Sequence, residues 1–339
     1  MTVSAISQEI EFPVLVADIG GTNARFSIVE SAAHATQAIG QTETASHKTF
    51  EDAAQTIIAE NKSPQPRTAI IAVAGPVTGD CIRLTNAEWL IMPLAAIEKL
   101  KLKSVFVLND FEAQALALPH LGRQDLISLG GPDEGHKATK FVLGPGTGLG
   151  AAAMIYSCGK WIPVPGEGGH VELAPVSKRD YNIWPHIERI GGRIGAEQIL
   201  CGSGLLRLTK AVLAERQEHR TFQKPADLVE AADNDDPIAL EVMDIFCAAL
   251  GRIAGDFALT TLAKGGIYLA GGIPPKISKY LLQGNFRKNF EAKAPHDAIM
   301  RQIPTFIVDH PNPALEGLAV FARNPDEYLV DIQQRHWSI

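Results

Sequence analysis

The sequence predicts an α/β protein with mostly parallel sheets, arranged as two related halves. Three observations point there. Between Phe12 and Leu118, short apolar runs alternate with stretches of helical spacing, the pattern of strands followed by helices. Two turns rich in Gly and Thr, one after Ile19 and one after Leu143, each separate one apolar run from another. At 339 residues the chain is longer than one hydrophobic core usually serves, so two domains are expected.

Met1 to Ile10 has no periodic pattern and reads as a loose arm. Phe12 to Glu30 reads as a β-hairpin, and His47 to Phe50 as a short strand. Glu51 to Asn61 has helical spacing. Thr68 to Ala74 is a buried strand ending at Gly75-Pro76, Pro93 to Leu100 a helix, and Ser104 to Leu108 the next buried strand. Asn109-Asp110 sits at its C-terminal end, and Phe111 to Leu118 is helical. Lys140 to Tyr156 is a second hairpin built like the first. Asp236-Pro237 opens a long helix reaching about Ala263, with Asp as N-cap and Pro at the first position. Its apolar residues run almost all round, so it should be buried, and Gly265-Gly266 should stop it. Ile267 to Ala270 is a strand running into Gly271-Gly272. Ile303 to Val308 is a final strand and Ala314 to Ala322 a final helix.

Composition excludes several classes. With 46% hydrophobic and 20% charged residues the chain is ordinarily globular. Net charge is −7 and no run of Lys or Arg exceeds a pair, which argues against a nucleic-acid surface. Cys81, Cys158, Cys201 and Cys247 are far apart and form no Cys-x-x-Cys pair, so neither a zinc site nor a disulfide framework is indicated, and a reducing cytoplasm fits. No signal peptide and no membrane-spanning stretch is expected.

The two turns carry the first chemical signal. Val14 to Phe26 reads Val-Leu-Val-Ala-Asp-Ile-Gly-Gly-Thr-Asn-Ala-Arg-Phe, and Phe141 to Gly150 reads Phe-Val-Leu-Gly-Pro-Gly-Thr-Gly-Leu-Gly. Glycine lets a ligand approach bare N–H groups, and successive N–H groups make an anion-binding concavity. Either turn alone is as well read as an ordinary hairpin. Two of them, with Asp18 at the mouth of the first, read as two clamps on one polyphosphate. Asp18 also suits Mg²⁺ held through water, since Mg²⁺ keeps much of its hydration.

Asp110 lies where open α/β sheets bind ligands, at the C-terminal end of a buried strand. It is placed to accept a proton from a hydroxyl. Equally, Asn109 to Glu112 has capping-box spacing with Asn109 or Asp110 as N-cap. In Pro165-Gly166-Glu167-Gly168-Gly169-His170-Val171-Glu172, the glycines let the chain bend and show Glu167 and His170 to one side. A carboxylate with an imidazole satisfies vicinal hydroxyls; a satisfied polar loop is the bland alternative. Glu197 reads most simply as a helical ion-pair partner of Arg193, four residues earlier. Gly271-Gly272 marks a close approach of a flat base or a plain turn.

In this order, these motifs resemble the bacterial glucokinases: Asp18-Ile19-Gly20-Gly21-Thr22-Asn23-Ala24-Arg25, Leu108-Asn109-Asp110-Phe111, Gly144 to Gly150, Pro165 to Glu172 and Gly271-Gly272-Ile273. Gly75 to Asp80, Thr85-Asn86 and Ala196-Glu197 through Gly204-Leu205 add to it. The likeness runs from about Pro13 to about Phe321. It implies the two-domain actin-like ATPase (ribonuclease H-like) fold around a central cleft. Residues 12–110 with about 312–339 would form a small α/β domain and 111–311 a large one, with 1–11 a flexible arm.

The resemblance also implies an activity: ATP-dependent phosphorylation of D-glucose at its 6-hydroxyl, in cytoplasmic carbohydrate metabolism. By the same resemblance, Asp110 is the general base, and Asn109, Glu167, His170 and Glu197 bind the other sugar hydroxyls. Ala17, Asp18, Ile19, Gly20, Gly21, Thr22 and Asn23, with Gly146, Thr147 and Gly148, hold the phosphates of Mg-ATP, and Gly271 and Gly272 line the adenine side. A homodimer is implied, with no nucleic-acid or membrane partner. The repressor/ORF/kinase sugar kinases share the first motif but follow Glu-x-x-His with a zinc-binding cysteine cluster. Here no cysteine follows His170 until Cys201, so no structural zinc is expected. A kinase for another hexose, and a sugar sensor that binds without turnover, remain alternatives on sequence alone.

Overall fold

The structure, a computed structural model, describes residues 6–84, 89–133 and 137–339. Two compact units result: one takes the described residues up to Leu121 with Met154–Pro165 and Pro311–Ile339, the other Gly122–Ala153 with Gly166–His310.

In the first unit, β1 (Val14–Ile19) is buried except at Asp18 and turns back into β2 (Asn23–Val29), which pairs antiparallel with Asp18 opposite Arg25. β3 (Gln37–Glu43) adds to β2 at the edge, with only Ile39 buried along it. Then come α1 (Phe50–Glu60), β4 (Thr68–Val73), the small ladder β5 (Ile82–Arg83) and β6 (Leu90–Ile91), α2 (Pro93–Leu100), β7 (Ser104–Asn109) and α3 (Asp110–Ala117). β4 lies parallel to both β1 and β7, and its six residues are all buried, as an all-apolar run in a covered parallel sheet must be.

The chain continues through β8 (Leu126–Gly130), β9 (Lys140–Pro145), β10 (Leu149–Ser157) and β11 (Lys160–Gly166). Helices α4 (Lys178–Ile183), α5 (Gly202–Glu215), α6 (Pro225–Asp233) and α7 (Pro237–Thr261) follow, then β12 (Gly266–Leu269), α8 (Ser278–Leu282), α9 (Asn285–Glu291), α10 (Asp297–Arg301) and β13 (Thr305–Val308). The return segment, α11 (Pro313–Arg323) and β14 (His336–Ser338), belongs to the first unit: β14 pairs antiparallel with β7. α11 crosses α3 closely at Gly317, where a Cβ would collide with the Ala113 carbonyl. That crossing braces the helix whose first residue is Asp110.

The sheet orders, β14-β7-β4-β1-β2-β3 and β11-β10-β9-β12-β13-β8, share one plan. In each, a hairpin is flanked on its first strand by two parallel strands, so the two related halves legible in the turns are also related in strand order. The long helix is capped as its sequence indicates: the Asp236 side chain accepts from the N–H groups of Ile238 and Ala239. Among the described residues no helix is long and apolar enough to cross a membrane.

The structure corrects four expectations. Residues 6–11 are not loose: Ile6 and Ile10 are buried and the Glu9 carbonyl accepts from Ser104 Oγ. Met1 to Ala5, the rest of the expected arm, and the Thr85-Asn86 stretch lie outside the described residues. His47 to Phe50 is no strand, because Thr49 caps α1, which begins at Phe50; the third strand is the mostly exposed β3, which carries no apolar run to betray it. The long helix stops at Leu262, in the left-handed conformation, rather than at Gly265-Gly266. Arg193 does not pair with Glu197; it binds Glu172 and the His170 carbonyl, and Glu197 sits in a separate short 3-10 turn.

Candidate active site

In the first unit the site is built on the C-terminal ends of β1 and β7, the two strands that flank β4. Strand alternation places Asp18 between buried Ala17 and Ile19, where burial pushes its carboxyl pKa up against the opposing pull of Arg25, 3.4 Å away. The turn that follows is tightly held. Gly20 N–H donates to Asn23 O (3.0 Å), Thr44 N–H to Thr22 O (2.9 Å) and Thr44 Oγ1 to Gly21 O (3.0 Å). With its carbonyls engaged, the turn leaves the N–H groups of Gly21 and Thr22 without a backbone partner among the described residues. These are the donors a phosphate would meet.

At the end of β7 the capping question resolves in favour of Asn109. Its Oδ1 accepts from the N–H groups of Phe111 (2.9 Å) and Glu112 (3.2 Å), and its Nδ2 donates to Gly75 O (3.3 Å). Glu112 completes the capping box and is held by a buried ion pair to Arg335 at 2.6 Å. Asp110, at the first helical position, is therefore not the N-cap, although its Oδ1 also accepts from Phe111 N–H at 3.0 Å. Burial, then the negative charge of Asp18, raises its pKa to about 6.

The second unit holds the other candidates. Gly146 N–H donates to Gly148 O (2.8 Å) and Gly202 N–H to Gly146 O (2.9 Å), so the loop is closed on itself and anchored to the start of α5. The N–H groups of Thr147 and Gly148 have no backbone partner among the described residues. Glu197 Oε2 accepts from Leu149 N–H at 2.8 Å, directly beside this loop. Glu167 and His170 flank a single 3-10 turn, exposed at 77% and 61% of their side chains, with Oε2 and Nε2 3.8 Å apart. Two exposed, neighbouring polar groups of complementary hydrogen-bonding character are what a polyol needs.

Gly271 has a structural reason of its own. Its φ is +83°, and a Cβ there would stand 2.7 Å from the Pro145 carbonyl, so it seats β12's end against the second loop. Gly272 faces open space. A surface hollow of about 740 Å³ near the end of α5, lined by Lys210, Gln217 and Arg220 among others, contains none of these residues. Sequence reasoning did not find Arg335, Leu149 or Gly169. Arg335 is 223 positions from Glu112, a separation no local pattern bridges.

The sequence profile of the Glucokinase family matches residues 15–325. A glucokinase of Sinorhizobium fredii is 47% identical over 335 residues, covering 98% of this chain and 99% of that protein. Among solved structures, the glucokinase of an Antarctic psychrotroph superposes with a TM-score of 0.82 at 28% identity, covering 92% of this chain and 99% of that one. The glucokinase of Balamuthia mandrillaris superposes at 0.77 with 23% identity over 91% of this chain and 93% of its own, a likeness of fold. With an α/β sugar-kinase fold and full-length relatives of this kind, the chain belongs to the glucokinase family and is an enzyme of that family.

Proposed function

We propose that the protein transfers the terminal phosphoryl group of ATP to the 6-hydroxyl of D-glucose, with Asp110 as general base. The observation that supports this best is the state of Asp110 itself. It is fixed at a strand end beside the capping Asn109, with Oδ1 accepting from Phe111 N–H, and raised to about 6 by burial and by Asp18. Such a carboxyl is ionised near neutral pH yet basic enough to take a proton, the match that general-base catalysis needs. As the sugar oxygen attacks phosphorus, its proton passes to Asp110, the O6–P bond forms, and the bond from phosphorus to the bridging oxygen of ATP breaks to release ADP. The transition state is loose, so positioning and fixed donors carry most of the rate.

The first phosphate loop would be Ala17 to Asn23, with free N–H groups at Gly21 and Thr22, and the second Gly146, Thr147 and Gly148. Asn109, Glu167, His170 and Glu197 would bind the remaining sugar hydroxyls. For Asn109 one Nδ2 hydrogen is left to donate, since the other goes to Gly75 O while Oδ1 serves the cap. Gly272, and Gly271 through its backbone, would line the adenine side. The strand order of each sheet accords with the actin-like, ribonuclease H-like plan.

Magnesium fits the first unit. Asp18 and Asp110 are two acidic groups in one field, balanced only partly by Arg25 at 3.4 Å. Mg²⁺ asks for one or two carboxylates and keeps its waters, so it needs no larger cluster; among the described residues there is none. Asp18 would hold it, through water, and the ion would neutralise charge developing on the phosphates.

The direct test is ADP release from Mg-ATP with and without glucose, alongside other hexoses. Rapid, glucose-dependent release that collapses in Asp110→Asn supports the proposal. Release with another hexose alone would keep the mechanism and change the substrate. No release with any sugar, from protein that still binds ATP, would indicate a sensor.

A further inference from the structure

We infer that Glu197 is a positioning residue that couples sugar occupancy to the phosphate loop Gly146–Gly148, through the backbone of Leu149. The inference deepens the glucokinase reading and rests on it. Three elements of the second unit meet at Leu149. Its N–H donates to Glu197 Oε2 at 2.8 Å. Its carbonyl lies directly under Gly169, where any Cβ would collide with it, so the turn carrying Glu167 and His170 is seated on this residue. The residue before it is Gly148, whose own Cβ would stand 2.5 Å from Glu197 Oε2.

The turns themselves are tied together. Ala196 N–H donates to Val171 O (2.7 Å), and Arg193 reaches both the His170 carbonyl (3.1 Å) and Glu172 (2.9 Å). The loop is tied to α5 by Gly202 N–H on Gly146 O (2.9 Å). Glu197 is thus the side chain that links this framework to the start of β10. A carboxylate held at one oxygen by one N–H still swings about that contact. A sugar hydroxyl donating to Oε1 would fix the carboxylate plane at two points, and with it Leu149 N–H and the adjoining Gly148. An N–H on a carboxylate is among the stronger hydrogen bonds, so the link is stiff enough to transmit this.

Two consequences follow. Glucose and nucleotide should favour each other's binding by a factor on the order of 5–50, equal in both directions as linkage requires. And Gly148, a residue of the phosphate loop, should matter to sugar affinity when no nucleotide is present. The backbone of Gly148 is not left-handed, so the close contact of an alanine methyl falls on Glu197 Oε2, the far end of a flexible side chain, and displaces it.

The experiment measures glucose binding by calorimetry without nucleotide, then AMPPNP binding with and without glucose, in the wild-type chain, Gly148→Ala and Glu197→Asp. The shorter Asp cannot reach Leu149 and has no loop methyl. We expect the glucose Kd of Gly148→Ala to rise about 5-fold or more without nucleotide, and the coupling factor to fall toward one in both variants. Thermal melting identifies a variant that fails to fold, in which case the other decides. A glucose Kd within twofold of wild type in Gly148→Ala, or a coupling factor that persists in folded Glu197→Asp, overturns the inference while leaving the glucokinase reading standing. Absence of glucose binding by the wild-type chain would overturn the glucokinase reading and this inference with it.

Discussion

Asn109 and Glu112 cap each other: Asn109 Oδ1 accepts from Glu112 N–H at 3.2 Å, while Glu112 Oε2 accepts from Asn109 N–H at 3.4 Å. Asn109, the last residue of β7 and the cap of α3, therefore has two duties, starting the helix and, in the proposed mechanism, donating to sugar. A serine separates them. It caps nearly as well as asparagine but lacks the amide hydrogen. Asn109→Ala should lose about 1 kcal/mol of stability and raise the KM for glucose. Asn109→Ser should recover most of the stability and none of the KM. Denaturant melts and initial rates on the same preparations check both; a KM restored by serine would remove Asn109 from sugar binding.

Asp110→Asn should trade activity for stability. A carboxyl whose pKa is about 6 when folded, against an ordinary 3.8, binds its proton more tightly in the native state. That disfavours folding once the unfolded chain ionises. The cost is absent below about pH 4, grows between the two values and is complete above about pH 6, reaching about 1–3 kcal/mol. Asparagine cannot ionise and still accepts from Phe111 N–H through the position Asp110 Oδ1 occupies at 3.0 Å. The variant should therefore melt higher than wild type at pH 7, with the difference closing near pH 4, while kcat falls about 10²–10⁴-fold. A variant that melts lower at pH 7 would show that Asp110 serves the fold.

The same ionisation should set the acid side of the pH profile. Activity should fall as pH drops through about 6, well above an ordinary aspartate, because the protonated base cannot accept the sugar's proton. Asp18 contributes by its charge, second to burial, so Asp18→Asn should move that limb downward even as it weakens nucleotide binding. The profile of kcat/KM for glucose at saturating Mg-ATP is the measurement, and a limb that stays in place in Asp18→Asn would assign the whole shift to burial.

The strand ends were legible because two independent signals coincided there. Apolar runs locate β1, β4, β7 and β9, and glycines or capping residues mark where each stops, which places Asp18, Asp110 and both loops at strand ends from the sequence alone. β3 and β14 were not legible, since edge strands with exposed side chains carry no apolar run. The contact of Glu197 escapes sequence spacing for a related reason. Its partner is a backbone N–H 48 positions away, and sequence spacing offered Arg193 instead. Gly169 and Gly317 are needed because backbones approach there, and a single sequence shows a glycine without showing what it approaches.

Gly271 and Gly272 differ in a way that separates a scaffold role from the proposed adenine contact. Gly271 adopts φ +83° with the Pro145 carbonyl 2.7 Å from its missing Cβ, whereas Gly272 has nothing within 4 Å. Alanine at 271 must both enter a left-handed conformation and push back the base of the Gly146–Gly148 loop, at a cost of about 1–3 kcal/mol. Because Ile273 N–H also donates to Pro145 O (3.2 Å), that displacement should reach the loop and raise the KM for ATP. Alanine at 272 should leave the melting temperature unchanged, and any rise in the KM for ATP there would come from direct crowding of the base. Equal melting temperatures for the two variants would mean the loop yields freely to Gly271→Ala, and the close packing at Pro145 would then not be what sets the loop's position.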